Sequence, residues 1–419
     1  MTATSPRFSR EEEASVRNVE PLEISEAYLA DPFPKLAEIR EHDPVHWSPS
    51  LDTWIVTRFE DVRQIFADPR MSRDRKLSKL YTPAKPGSWA HRFDLESIAT
   101  ADLEEHRRLR KNIAAGFKPK AVARMEQQVR DVVEQFAAPL RGQTDRVDLV
   151  SAFTSPIPNT VIGRITGIPP YPGDEERFCD LAQDVIRRFV WFADSETQER
   201  GERALDELAE WVGKLADERR QQRQEDLVSD LIHTDEEATG ITNDEIVMLV
   251  AGLVAAGSET TTLGSTTALR LLFENPEQFD RLRANPKLAL NAVHETLRFD
   301  FGAATGGIAR FAIEDVPLRG KVIRKGDMVM LSSAAAHRDP ERFPNPNQFD
   351  ITREPGESLA FGHGAHYCIG SNLALQEMTF ILEAALDVLP ASTRLRSDEI
   401  EWETIGLLRR PSTLPVSFS

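Results

Sequence analysis

Cysteine is scarce. The chain of 419 residues has two, Cys179 and Cys368. They are far apart and lack metal-type spacing, which argues against a disulfide framework or an iron–sulfur cluster and fits a reducing cytoplasm. An apolar leader is missing as well. Met1 to Glu20 is polar, carries Glu11-Glu12-Glu13, and has no run long enough for a signal peptide or a membrane anchor. The sequence predicts a flexible segment over 1–20, and on length alone the rest could be one large domain or two to three small ones. Basic charge is in deficit: Lys+Arg 51 against Asp+Glu 68 leaves a net charge of −17, which argues against a general nucleic-acid binder and favours solubility. What is present is ordinary for a globular protein with a large core, with 40% hydrophobic and 28% charged residues.

One of the two cysteines stands in unusual company. Phe361-Gly362-His363-Gly364-Ala365-His366-Tyr367-Cys368-Ile369-Gly370 runs directly into the helix-patterned Leu373, Ala374, Leu375, Met378, Phe380, Ile381 and Leu382. Glycines let backbone come close to a bound object. A sulfur just before a helix start feels free N–H groups and the positive end of the dipole, and both favour the thiolate. A thiolate facing something flat and large suits the axial position of a haem iron. The plainer reading is a buried structural cysteine.

Elsewhere the pattern is mainly α with a smaller β-region. Asp31-Pro32-Phe33-Pro34 opens an amphipathic helix over 36–41, Thr53 to Thr57 is strand-like, and a helix follows over 59–67. Residues 71–100 lack periodicity and predict a long loop. Helical patterning over 104–115 puts His106 and Arg110 on one face. Several helices are expected over 121–240, broken at Gly142, at Pro156-Ile157-Pro158 and over 168–173. Within them Phe189-Val190-Trp191-Phe192 is either core or the roof of an apolar pocket. A long helix over 242–273 is apolar nearly all round from Ile246 to Leu253, which implies burial. At its middle stands Ala255-Ala256-Gly257-Ser258-Glu259-Thr260-Thr261-Thr262, where a charged Glu259 needs a partner or a task. The next helical stretches begin at Asn275-Pro276 and Asn285-Pro286, and the second holds Glu295 and Arg298 at pairing distance. Leu318 to Lys321 and Met328 to Leu331 predict strands on either side of the turn Arg324 to Asp327.

The spacing of Phe361, Gly364, His366, Cys368 and Gly370 resembles the haem-ligand signature of the cytochrome P450 family. Three further motifs are similar in order and distance: His106 with Arg110, Ala256-Gly257-x-Glu259-Thr260, and Glu295-x-x-Arg298. The resemblance covers about 22–418 and implies the P450 fold as a single catalytic domain over 21–419, with haem b between the long central helix and the cysteine loop. It assigns Cys368 to the iron, and Ala256, Gly257, Phe361, Gly362 and Gly370 to the cofactor's surroundings. His106, Arg110, Arg310 and His366 would hold its propionates, where a solvated basic face is the plain alternative. Reducing dioxygen consumes protons, and Glu259 with Thr260 would relay them. A hydroxyl bonding back to its own helical turn is the plain alternative, expected at Thr261 or Thr262. Glu295 and Arg298 would form a structural ion pair. The family's third partner position is Gln348 here, which leaves Arg342 or Arg353 to substitute.

The implied activity is a soluble, bacterial-type monooxygenase using O2 and electrons from NAD(P)H through a separate ferredoxin and reductase. A ferredoxin would dock near Arg107, Arg108 and Lys111, with Lys118, Lys120 and Arg124 close by. Lining segments over 77–98, 178–192, 249–258, 301–308 and 405–408 are mostly apolar, and Phe189, Leu253, Ala256, Phe301, Ile308 and Leu407 are the candidate contacts. They suggest a hydrophobic substrate such as a terpenoid, steroid or macrolide. A peroxide-driven peroxygenase and a non-catalytic haem sensor are the alternatives. The first usually lacks the Glu259–Thr260 type of pair, and the second has no use for it.

Overall fold

The computed structural model describes residues 19–168, 175–188, 194–233, 241–301, 308–405 and 408–418. Residues 1–18 of the expected flexible segment therefore lie outside it, as do Phe189 to Phe192. Helices α1 (Glu26–Ala30) and α2 (Phe33–His42) lead to strands β1 (Val45–Ser48) and β2 (Thr53–Val56). Helix α3 (Phe59–Ala67) and strand β3 (Met71–Ser72) follow. Next come α4 (Trp89–Glu96), α5 (Leu103–Ala114), α6 (Pro119–Arg124) and α7 (Glu126–Ala137). After β4 (Val147–Asp148) stand α8 (Pro156–Thr166), α9 (Glu175–Arg188), α10 (Ser195–Gln221) and α11 (Leu227–His233). The central helix α12 (Asn243–Glu274) is followed by α13 (Pro276–Ala284) and α14 (Ala289–Phe299). Strands β5 (Ile308–Ala312), β6 (Val316–Leu318), β7 (Lys321–Ile323) and β8 (Met328–Leu331) come next, then α15 (Ser333–His337) and α16 (Ser371–Val388). Strands β9 (Arg394–Leu395), β10 (Trp402–Ile405), β11 (Leu408–Pro411) and β12 (Pro415–Ser417) finish the described chain.

The central helix organises the α-region. It begins with a reciprocal cap in which the Thr242 hydroxyl accepts from the Glu245 N–H, while the Glu245 carboxylate accepts from the Thr242 N–H at 2.7 Å. By length and composition α12 could cross a membrane, yet 72% of its most apolar window is buried within the protein. Helices α8, α9, α10, α14 and α16 pack around it, which makes it a core helix and explains why its apolar residues show no single face. The β-region is a five-stranded sheet in the order β1-β2-β8-β5-β3, where β2 and β8 run parallel and the other pairs antiparallel. In its register Arg310 stands opposite Val329.

Two expectations are corrected here. The stretch over 71–100 contains α4 as well as β3. Ser88 caps α4 by accepting from the His91 N–H at 3.2 Å, and Ala90 and Phe93 are buried. With only two turns, its apolar face depends on packing against α10 and α12, which no local pattern announces. Leu318 to Lys321 is a hairpin turn joining β6 and β7, with Arg319 at φ 47° and Gly320 at φ 78°. Positive φ at both central residues matches the twist of a two-residue hairpin.

Candidate active site

The Cys368 loop is folded on itself by backbone bonds. The Cys368 N–H donates to the Phe361 carbonyl at 2.9 Å, and the Tyr367 N–H to that of Gly364 at 3.1 Å. Gly364 has φ +75°, and a Cβ there would stand 3.1 Å from the Phe66 carbonyl oxygen and 3.2 Å from the Ala67 Cα. Only glycine lets the loop press against the end of α3. Gly370 then caps α16. Burial pushes the Cys368 thiol up, while the N–H groups of Gly370 and Ser371 and the nearby Arg110 draw it down. Cys368 is nonetheless exposed to the space above the loop, so a metal bound there, together with the helix start, would hold the sulfur as the thiolate.

Above the loop, basic groups converge from four elements. Helix α5 supplies His106 and Arg110, β5 supplies Arg310, the loop supplies His366, and the residue after β3 supplies Arg73. The His106 and His366 rings lie 3.9 Å apart between centroids. Burial, then Arg110 and Arg73, push His106 down to about 4. Burial, then Arg73, His106 and Arg310, push His366 lower still. Arg310 is 2% exposed and also held below its ordinary range by burial and Arg73. Asp102 is the acid that offsets them: it accepts from the Arg73 N–H at 2.9 Å and from the Ser72 hydroxyl. So much positive potential beside one carboxylate calls for a further anion. A flat cofactor carrying two carboxylates, with its metal over Cys368, fits this donor set. Sequence reasoning missed Arg73 and Asp102, because neither sits in a periodic element.

The middle of α12 carries the other residues expected at the site. Ala256 is exposed although the helix around it is buried. The Thr260 hydroxyl donates to the Ala256 carbonyl at 2.6 Å. The back-bond expected of Thr261 or Thr262 is thus made by Thr260, and the buried Thr262 hydroxyl has no partner among the described residues. Gly257 faces elsewhere. A Cβ there would meet the Ile162 Cδ1 at 3.2 Å, so its smallness serves the packing of α8. Glu259, 2% exposed, pairs with Arg410 on β11 at 2.7 Å. The Arg410 Nε donates to Glu403 at 2.8 Å, and Glu403 accepts from Arg187 on α9 at 2.9 Å. Burial pushes the Glu259 carboxyl up and Arg410 draws it down. Arg410 is the partner this buried charge required, and no local sequence pattern links residues 259 and 410.

Glu295 and Arg298 make a two-pronged pair at 2.7 and 2.8 Å. The third partner is Arg353, whose Nε donates to Glu295 at 3.1 Å. Gln348 contributes its backbone carbonyl to Arg298 at 3.1 Å. Arg342 lies instead against the rings of Phe59 and Phe343. Arg298 also donates to the carbonyls of His337 and Pro346, so the pair anchors the stretch leading to the cysteine loop. His337 is itself buried, and its Nε2 accepts from the Leu359 N–H at 2.8 Å. Burial and Arg298 push it down to about 3. The unfolded chain protonates this histidine near 6.5 and the folded chain does not. Its contribution to stability is therefore complete above that pH and lost as the pH falls. His337→Gln is expected to flatten the loss of stability between pH 6 and pH 5 by about 1 kcal/mol per pH unit, read from denaturant midpoints; parallel slopes for both proteins would contradict it.

Comparison with known proteins agrees with this geometry. The family model for Cytochrome P450 matches residues 50–418. The chain belongs to the cytochrome P450 family. Cytochrome P450 monooxygenase PikC of Streptomyces venezuelae is 33% identical over 399 residues, spanning 94% of this chain and 92% of PikC. Among solved structures, CalO2 is 31% identical with a TM-score of 0.86, over 95% of this chain and 99% of CalO2. P450BioI, crystallised with an acyl carrier protein ligated to hexadec-9Z-enoic acid, is 28% identical with a TM-score of 0.85, over 94% and 100%. This P450 is accordingly a haem-iron monooxygenase of bacterial type.

The candidate substrate contacts are scattered. In this P450 Leu253 and Phe301 are half-buried against the main core cluster, and Ile308 packs against the cluster under the five-stranded sheet. Phe361 is half-buried and meets Tyr367 edge-on. Phe189 and Leu407 lie outside the described residues. The cations expected to dock a ferredoxin differ in their surroundings. Arg108 is engaged by Glu105 and by Glu245 at the start of α12, so it is not a free surface cation. Arg107, Lys111, Lys118, Lys120 and Arg124 are exposed.

Proposed function

We propose that this P450 inserts one oxygen atom from O2 into a hydrophobic organic substrate, by hydroxylation or epoxidation, with electrons from NAD(P)H through a separate ferredoxin and reductase. The observation that supports this is the cluster of Arg73, His106, Arg110, Arg310 and His366 beside the Cys368 loop. Bound haem b supplies the dioxygen-activating, electron-accepting centre. Cys368 would ligate its iron, and His106, Arg110, Arg310, His366 and Arg73 would hold its carboxylates by charge-assisted bonds. Phe361, Gly362 and Gly370 would shape the cofactor's surroundings on the Cys368 loop, and Ala256 would offer it a small side chain. Because the Thr260 proton is directed at the Ala256 carbonyl, the hydroxyl oxygen keeps its lone pairs for an incoming donor. Glu259 would exchange protons with that donor. We read residues 21–419 as one catalytic unit working in the cytoplasm.

For the substrate we favour a macrolide over a terpenoid or steroid. The support is that one relative, 31% identical, is a mycinamicin IV hydroxylase/epoxidase. The test is absorbance of the purified ferric protein during titration with macrolides, steroids and terpenoids. A Soret band that moves to the high-spin position with a macrolide is expected. Red protein that answers only to another class would overturn the macrolide assignment, and colourless protein the haem assignment.

The exposed cations on α5 and α6 would steer an acidic ferredoxin. Lys111→Glu combined with Lys118→Glu is expected to raise the ferredoxin KM about tenfold at low salt, with the difference shrinking as salt screens the charges. Steady-state reduction rates at two ionic strengths check this, and an unchanged KM would move the docking face elsewhere.

A further inference from the structure

A second cleft lies away from the cysteine loop. It encloses about 620 Å³ between α2, the C-terminal part of α12, the end of α14 and the β10–β11 hairpin. That volume is within the range of small-molecule sites. The nearest lining residue of α12, Thr267, is seven positions past Thr260, or about 10 Å along the helix axis. The cleft is therefore separate from the region where haem and substrate meet.

Its walls are flat and its charges unevenly occupied. The Arg338 guanidinium is sandwiched between Phe33 and Phe299, at 3.8 and 3.9 Å from the ring centroids. It already donates to the Phe299 carbonyl and to Asn347. Arg270 is spoken for by Glu274 at 2.5 Å and Asp300 at 2.6 Å. Arg409 is different. It lies 3.6 Å over the Trp402 ring, and among the described residues no hydrogen bond or ion pair engages its N–H groups. Burial and the neighbouring Arg270, which also lies 5.4 Å from the Trp402 ring, lower its pKa, and Asp300 and Asp31 partly offset them. Trp402 is 38% exposed, large for an indole. A guanidinium pre-oriented on an aromatic face presents a planar fork suited to a carboxylate. Asp31, Glu274 and Asp300 line the same cleft and repel any anion, a doubly charged phosphate more than a single carboxylate.

From this we infer that the cleft binds a flat aromatic carboxylate, its anion on Arg409 and its ring against the Trp402 and Phe33 walls. Arg409 and Arg410 are consecutive on β11 and point to opposite faces of the strand. The ligand would thus sit one residue from the counter-ion of Glu259.

The test uses haem-loaded protein saturated with imidazole, so that the iron pocket is blocked and the Soret band reports its occupancy. Calorimetric titration with 2-naphthoate is expected to show one equivalent bound, with no change in the Soret band. Arg409→Gln, checked for the same imidazole-bound spectrum, should weaken this binding about tenfold or more. The uncharged 2-naphthylmethanol should bind wild-type protein correspondingly poorly. Three results would each overturn the proposal: no uptake by blocked protein, equal affinity in Arg409→Gln, or equal affinity for acid and alcohol.

Discussion

Glu295→Leu is expected to lower the unfolding free energy by about 3–5 kcal/mol, the largest stability loss predicted here for one side chain. The reason is what remains behind. Glu295 is 2% exposed and accepts from Arg298, Arg353 and the Asp350 N–H. Without it, Arg298 is a buried cation with no anion. It has no easy route to solvent, because its other N–H groups are committed to the carbonyls of His337, Pro346 and Gln348. Intact, such a pair adds little, since desolvation nearly cancels attraction; broken, it exposes the whole penalty.

Arg353→Ala makes the contrast. The Arg353 side chain is 18% exposed against 4% for Arg298, and its loss leaves the two-pronged pair standing. About 1–2 kcal/mol is expected. Denaturant unfolding followed by circular dichroism ranks the two variants. If Glu295→Leu falls within about 1 kcal/mol of wild type, the pair is not what fixes the approach to the cysteine loop.

The same cluster shows how far sequence reading reaches. Glu295 and Arg298 are three apart on a helix, so their pairing is a local fact. Arg353 enters from a different segment, and choosing it over Arg342 needs the path of the backbone between them. The long helix over 242–273 was legible because its apolar composition and its length agree, and the structure adds a reciprocal cap at Thr242. Helix α4 was not, because eight residues with two buried apolar positions look like loop until α10 and α12 cover them. The cysteine loop was legible through its glycines, and Gly364 does meet the end of α3. Gly257 was credited with making room for a cofactor, whereas it makes room for Ile162; a small residue records a close approach without saying to what.

Partners distant in sequence are the consistent gap, and Glu259 is the case with the largest functional consequence. Glu259→Gln is expected to cut turnover about a hundredfold while leaving haem content and the Soret response to substrate unchanged. An amide keeps the size and sits beside Arg410 without clash, but it cannot exchange a proton. The carboxyl is poised between two opposing influences, burial raising it and Arg410 lowering it. Removing only the second, by Arg410→Gln, leaves the burial and pushes the carboxyl higher. A step that needs the carboxylate then slows at neutral pH and recovers as the pH rises, whereas Glu259→Gln is slow at every pH. Thr260→Ala separates the neighbouring role. The hydroxyl bound to the Ala256 carbonyl is lost, haem is kept, and reducing equivalents are expected to leak to peroxide. Product and peroxide formed per NAD(P)H, measured across pH for the three variants, distinguish these outcomes. Wild-type turnover in Glu259→Gln would remove this carboxylate from the proton path and leave its pair with Arg410 as a structural tie between α12 and the β10–β11 hairpin.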